Sequence, residues 1–219
     1  RKAAGLPEKG FVFCCFNNHY KIQPNVFESW MKILLLVEGS VLWLAQAPKD
    51  TVSNLRKEAK KYGIDEERVI FAPRLNLHSD HLSRTQLADL FLDTRPFNAH
   101  TTCYDALKIG LPVITYLGES FVSRVAGSLI NAVNLPELIT NTPEEYESLA
   151  IELATNPDKL KAIKDKLKDN LSTAPLYDTK LFTKNLESAY TQMYDRYHKG
   201  FKPDHIYVCL LYTSPSPRD

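Results

Sequence analysis

Five short apolar runs rich in β-branched and aromatic residues recur along the chain, at 11–16, 41–45, 68–72, 90–93 and 112–116. Runs this short and this continuously apolar read as strands buried on both faces. Between them lie segments with helical spacing. The clearest places Val26, Phe27, Trp30, Met31, Ile33, Leu34 and Val37 on one face, opened by Pro24-Asn25 and closed by Gly39. Others are 51–62, ended by Gly63, then 82–87, then 101–109, ended by Gly110. A β-α-β-α-β-α-β-α-β order specifies an α/β fold with a parallel, doubly wound sheet, because parallel neighbours need a crossover long enough to hold a helix. Beyond the fifth run the pattern turns wholly helical, at 123–133, 144–154, 157–171 and 179–198, and this helical C-terminal section is expected to flank the sheet.

In such a sheet all strands point one way, and ligands bind outside their carboxyl ends. The loops gathered on that edge are 17–23, 46–50, 73–80, 94–100 and 117–120.

Composition removes several alternatives. With 219 residues and 44% hydrophobic content the chain suits one well-buried domain. Lys plus Arg number 27 against 26 Asp plus Glu, so the net charge of +1 makes no case for nucleic acid or an anionic membrane surface. No apolar run is long enough to span a bilayer. Of four cysteines, Cys14 and Cys15 are adjacent in an apolar run, Cys103 is alone and Cys209 lies in an odd tail. That is no disulfide framework, and a cytoplasmic setting is expected. The start lacks an initiator Met, which suggests that the chain begins mid-protein. Residues 209–219 break from everything before them and resemble translated read-through, the alternative being a natural Pro/Ser-rich terminus. The expected organisation is a lobe over 1–208 and a non-native tail over 209–219.

The first loop carries Asn18, His19, Tyr20 and Lys21 directly after a buried strand. A lysine there can reach a diphosphate and offset the charge that grows on a departing nucleotide; the competing reading is a solvated loop lysine. In the fourth loop the chain passes from Asp93 through Phe97, Asn98 and His100 into a helix opening with Thr101 and Thr102. Their hydroxyls are expected to cap that helix, whose free N–H groups make a phosphate seat, with Asp105 placed for a ribose hydroxyl. Ordinary capping without a ligand is the alternative. The third loop contributes His78, Asp80, His81 and Arg84 around a helix start. Two histidines three apart give only two metal ligands, so donors toward nucleotide phosphate or base fit better. There is no G-x-G-x-x-G or G-K-[ST] loop and no Asp-x-Asp pair; Asp89 and Asp93 stand four apart across a strand. No metal and no cofactor are expected.

The runs 16–22, 71–73 through His81-Leu82-Ser83-Arg84, and Asn98-Ala99-His100-Thr101-Thr102 through Asp105, with Gly118-Glu119-Ser120 and Ser123-Arg124-Val125-Ala126, resemble the O-GlcNAc transferase family. The likeness extends from Leu6 to His205. It implies a glycosyltransferase-B fold of two Rossmann-like lobes preceded by tetratricopeptide repeats, of which this chain is the C-terminal lobe. The implied reaction is metal-independent, inverting transfer from UDP-N-acetylglucosamine (UDP-GlcNAc) to Ser or Thr of acceptor proteins, UDP leaving. By resemblance Lys21 supports the leaving diphosphate. Asn18 is a nucleotide-contacting position that is Gln in animal enzymes, with Tyr20 beside it. His81 and Arg84 face the uridine, His100, Thr101 and Thr102 form the phosphate turn, and Asp105 holds the ribose. Animal enzymes carry a lysine in the third loop where this chain has Leu77-His78 and one extra residue, so His78 is the substitute. The family's acceptor-side histidine lies in the other lobe, so the fragment alone is expected to be inactive. Two alternatives remain: a protein O-fucosyltransferase using GDP-fucose, and a degenerate nucleotide-binding scaffold.

Overall fold

The computed structural model describes residues Arg1–Val208, and the tail expected at 209–219 lies outside the described residues. The described chain forms two compact units, Arg1–Ser172 and the segment from Thr173 onward. The first is an α/β unit. Strands β1 (Val12–Cys15), β2 (Val41–Ala45), β3 (Val69–Ala72), β4 (Leu90–Leu92), β5 (Val113–Tyr116) and β6 (Ile139–Thr140) form one parallel sheet in the order β3-β2-β1-β4-β5-β6. The pairing is parallel throughout, with Cys14 opposite both Trp43 and Phe91. All four residues of β1 are fully buried, as a strand covered on both faces requires.

Helices α1 (Pro24–Leu36), α2 (Lys49–Lys61), α3 (His78–Thr85), α4 (Thr101–Lys108), α5 (Val125–Ala132), α6 (Pro143–Thr155) and α7 (Pro157–Leu171) fill the connections and follow the sheet. Helix α1 opens with Pro24 at its first turn and buries Val26, Phe27, Trp30, Met31, Ile33 and Leu34, the face foreseen from spacing. Trp30 and Trp43 are the largest fully buried side chains. Gly63 and Gly110 follow α2 and α4 with φ of 76° and 82°, a backbone that a side chain would strain.

Three expectations are corrected. The C-terminal part is not wholly helical, because Ile139–Thr140 adds β6 beside β5. The third helix begins at His78 rather than Leu82, so His78, His81 and Arg84 share one helix face region instead of straddling a loop. The helix expected at 123–133 is α5, Val125–Ala132, preceded by a separate 3-10 turn, Phe121–Ser123.

The second unit contains a 3-10 turn, Pro175–Tyr177, and the 20-residue α8 (Thr179–His198), whose first turn is capped by Asp178 Oδ1 accepting from the Leu181 amide at 2.9 Å. Among the described residues no helix is long and apolar enough to cross a membrane.

Strand order runs outward from β1 to β3 on one side and from β4 to β6 on the other. The winding therefore reverses between β1 and β4, and a crevice opens outside their carboxyl ends.

Candidate functional site

The β1 loop and the β4 loop meet in that crevice. After β1 the chain makes a 3-10 turn, His19–Lys21, which turns Lys21 inward to 9% exposure while Asn18 stays exposed and Tyr20 is 67% exposed. Lys21 Nζ donates to the Asn98 carbonyl at 2.9 Å and lies 4.0 Å over the Phe97 ring. Burial pulls the ammonium below the ordinary lysine value, and the Asp93 carboxylate opposes that pull. This is not a solvated loop lysine.

Phe97, which the residue pattern did not single out, organises the crevice. Its ring stacks on His100 at 5.1 Å and meets the Tyr20 edge at 6.3 Å, besides seating Lys21. His100 stands at the N-cap of α4 with φ −108° and ψ −92°, and no side chain caps this helix. The threonine hydroxyls therefore do not act as caps. Thr102 Oγ1 instead donates to Asn17 Oδ1 at 2.5 Å, committing its proton sideways, and Thr101 is exposed. What α4 offers an anion is its open first turn of backbone N–H groups and the positive end of its dipole. Two buried polar atoms beside it, Asn98 Oδ1 and His100 Nε2, find no hydrogen-bond partner among the described residues, which marks a polar site shaped for an occupant.

Asp93, at the carboxyl end of β4, was legible only as half of an absent acidic pair. It is 4% exposed, and both its oxygens are engaged. Oδ1 accepts from the amides of Thr94 at 2.7 Å and Ala99 at 2.6 Å, and from Asn17 Nδ2 at 3.4 Å; Oδ2 accepts from Thr115 Oγ1 at 2.7 Å. Burial pushes its carboxyl up to about 7, against the pull of those donors. A folded value above the unfolded one means that the folded state holds the proton more tightly. That contribution is full below about pH 4 and is lost as pH rises through 7. The stability of wild type relative to Asp93→Asn, from urea unfolding, should thus fall by at most about 1.4 kcal/mol per pH unit across that window and level off above it. A difference independent of pH would contradict this account.

The third-loop residues line a neighbouring cleft of about 690 Å³ between α3 and the β2–α2 loop, bounded by Ala45, Pro48, Asn76, Leu77, His81 and Arg84. Arg84 donates to the Pro73 carbonyl, and its Nη2 pairs with His81 Nδ1 at 3.1 Å. Burial and the adjacent guanidinium hold His81 below its ordinary value, so it is neutral near pH 7. His78 Nε2 lies 2.9 Å from Asp105 Oδ2, joining α3 to α4; His78 is 64% exposed and Asp105 14%. His78 is thus occupied with the carboxylate expected to hold a ribose. The pair is solvent-screened, worth no more than about 1 kcal/mol. For a nucleoside diphosphate seated with its ribose on Asp105, His78→Ala should change affinity less than about fivefold, whereas Asp105→Ala should weaken it about tenfold or more, measured by calorimetry. Equal losses would refute that division.

The sites foreseen at 18–21, 78–84 and 100–105 thus lie along one sheet edge. Glycosyl transferase family 41 matches residues 1–186. A relative from Arabidopsis thaliana, described as a probable UDP-N-acetylglucosamine–peptide N-acetylglucosaminyltransferase SEC, is 40% identical over 209 residues, 95% of this chain and 21% of its own length. The Caenorhabditis elegans UDP-N-acetylglucosamine–peptide N-acetylglucosaminyltransferase is 39% identical over 92% of this chain and 17% of its own. The chain thus spans about a fifth of these relatives. A solved mutant O-GlcNAc transferase from Thermobaculum terrenum superposes with a TM-score of 0.82 at 29% identity, covering 90% of this chain and 40% of that one. On sequence and architecture together, the chain belongs to glycosyl transferase family 41.

Proposed function

We propose that the chain is the donor-binding lobe of a protein O-linked N-acetylglucosaminyltransferase. It holds UDP-GlcNAc for inverting, metal-independent transfer to Ser or Thr hydroxyls, in a cytoplasmic setting that suits the free buried thiols of Cys14, Cys15 and Cys103. The observation that carries this reading is the convergence of a buried Lys21 and the open N-terminus of α4 at the point where the sheet reverses. As the bond from sugar to diphosphate breaks, negative charge grows on the leaving phosphate. A desolvated ammonium and fixed backbone N–H groups stabilise that charge with no reorganisation. Among the described residues the Lys21 ammonium makes one hydrogen bond, to the Asn98 carbonyl, and keeps donors for a phosphate. The cleft beside His81 and Arg84 takes the base, and Asp105 the ribose. The names of the two relatives supply the sugar and the acceptor class. The acceptor-side base, the second lobe and the acceptor-recruiting repeats belong to the remainder of the full-length protein.

The test is to give the full-length protein UDP-GlcNAc or GDP-fucose with an acceptor protein. UDP release coupled to GlcNAc transfer is expected, and GDP release with none from the UDP donor would assign the chain to fucosyl transfer instead. Glycosylation unaffected by Lys21→Met would remove Lys21 from the leaving-group role.

A further inference from the structure

Among the described residues only two charged side chains are buried, Lys21 and Asp93, and both belong to this crevice. Every contact to the Asp93 carboxylate is a donor: two amides, one hydroxyl and one amide NH₂. Those donors favour the ionised form and oppose the burial that raises its titration. The titratable groups around it are Lys21, Cys15, Cys103 and Tyr146; burial raises the last three, which stay neutral. Tyr146 also donates from its hydroxyl to the Asp93 carbonyl at 3.0 Å.

The carboxylate reaches both halves of the diphosphate seat. Through Oδ1 it draws the Thr94 and Ala99 amides together, closing the loop whose Asn98 carbonyl receives Lys21. Through Asn17, which also donates to Thr94 Oγ1 at 2.8 Å and accepts from Thr102, it ties the first turn of α4 to β1. Its charge also opposes the deprotonation that burial would impose on Lys21.

Resting on the functional reading above, we propose that Asp93 is a positioning residue for sugar transfer: its buried carboxylate sets the 94–99 loop and keeps Lys21 a charged ammonium. It touches no reacting atom. Because burial raises its own titration to about 7, the acid limb of kcat/KM reports Asp93 and the alkaline limb reports Lys21.

The experiment measures kcat/KM for UDP-GlcNAc against pH in the full-length enzyme, for wild type, Asp93→Asn and Thr115→Val. Asparagine keeps an oxygen for the two amides and removes the charge. Asp93→Asn should lose the acid limb, move the alkaline limb down by at least one pH unit, and fall tenfold or more at the wild-type optimum. Thr115→Val removes one donor and should move the acid limb up by about half a unit with the alkaline limb unmoved. A wild-type profile in Asp93→Asn, or a uniform loss with both limbs in place, would overturn the proposal, since a merely structural role predicts no shift. Should Asp93→Asn fail to fold, an unmoved acid limb in Thr115→Val overturns it equally. A wild-type enzyme inert toward UDP-GlcNAc would fail at the first measurement and take the functional reading down with the proposal.

Discussion

Replacing Lys21 with Met should slow glycosyl transfer by the full-length enzyme by about 10²- to 10³-fold, the loss expected when one preorganised donor to a developing oxyanion is removed. Methionine matches the length of the lysine stem and keeps an apolar contact with Phe97, so packing survives while the charge disappears. Two effects on stability oppose each other. Removing a buried ammonium relieves its desolvation, and the Asn98 carbonyl loses its donor, so the net change should stay within about 1 kcal/mol. Donor KM should move less than kcat, because the charge it meets grows only as the bond breaks. Transfer within threefold of wild type would show that Lys21 is no leaving-group residue.

The largest effect on stability is expected at Trp30. Its ring is fully buried on α1, and Nε1 donates to Tyr146 Oη at 3.2 Å on α6. Tyr146 in turn donates to the Asp93 carbonyl, so α1, α6 and the end of β4 are linked through two side chains. Trp30→Ala should cost about 3–5 kcal/mol, the lost ring burial plus the cavity left behind. That is a large share of the about 5–15 kcal/mol that holds a typical domain together. Trp30→Phe keeps most of the apolar area and loses the N–H donor, and should cost only about 1–2 kcal/mol. Urea unfolding of the two variants checks the order; equal costs would mean that the hydrogen bond and not the packing dominates.

The five principal strands were readable because strands covered on both faces are continuous apolar runs, and their order with intervening helices left one topology class. Their ends were read too generously for local reasons. Pro112 has no N–H to give a ladder. Arg68 turns its guanidinium to the carbonyls of Leu34, Val37 and Ser40, and the Asp93 side chain accepts from the Thr94 amide to start a loop. Strand β6 escaped notice because two residues, Ile139 and Thr140, show no periodicity. The early start of α3 was hidden for a similar reason: His78, Ser79 and Asp80 carry no apolar residue to set a helical phase.

The site followed the same division. Lys21, Thr102 and Asp105 could be placed near one edge because loop positions follow from topology. Partnerships across 70 or more residues could not be read: Lys21 with Asn98, Asn17 with Asp93, Thr102 with Asn17. Such contacts are written in tertiary packing, which is why two threonines looked like caps and Asp93 was given no role. Phe97 was overlooked because an aromatic in a loop carries no spacing signal at all.

The most direct measurement is a crystal structure of the full-length protein with UDP. The expected result places the diphosphate within hydrogen-bond distance of Lys21 Nζ and the first backbone amides of α4. The ribose then lies on Asp105, and the base in the cleft beside His81 and Arg84. UDP bound away from the β1–β4 crevice, with Lys21 Nζ still on the Asn98 carbonyl alone, would contradict the assignment of this edge as the nucleotide site.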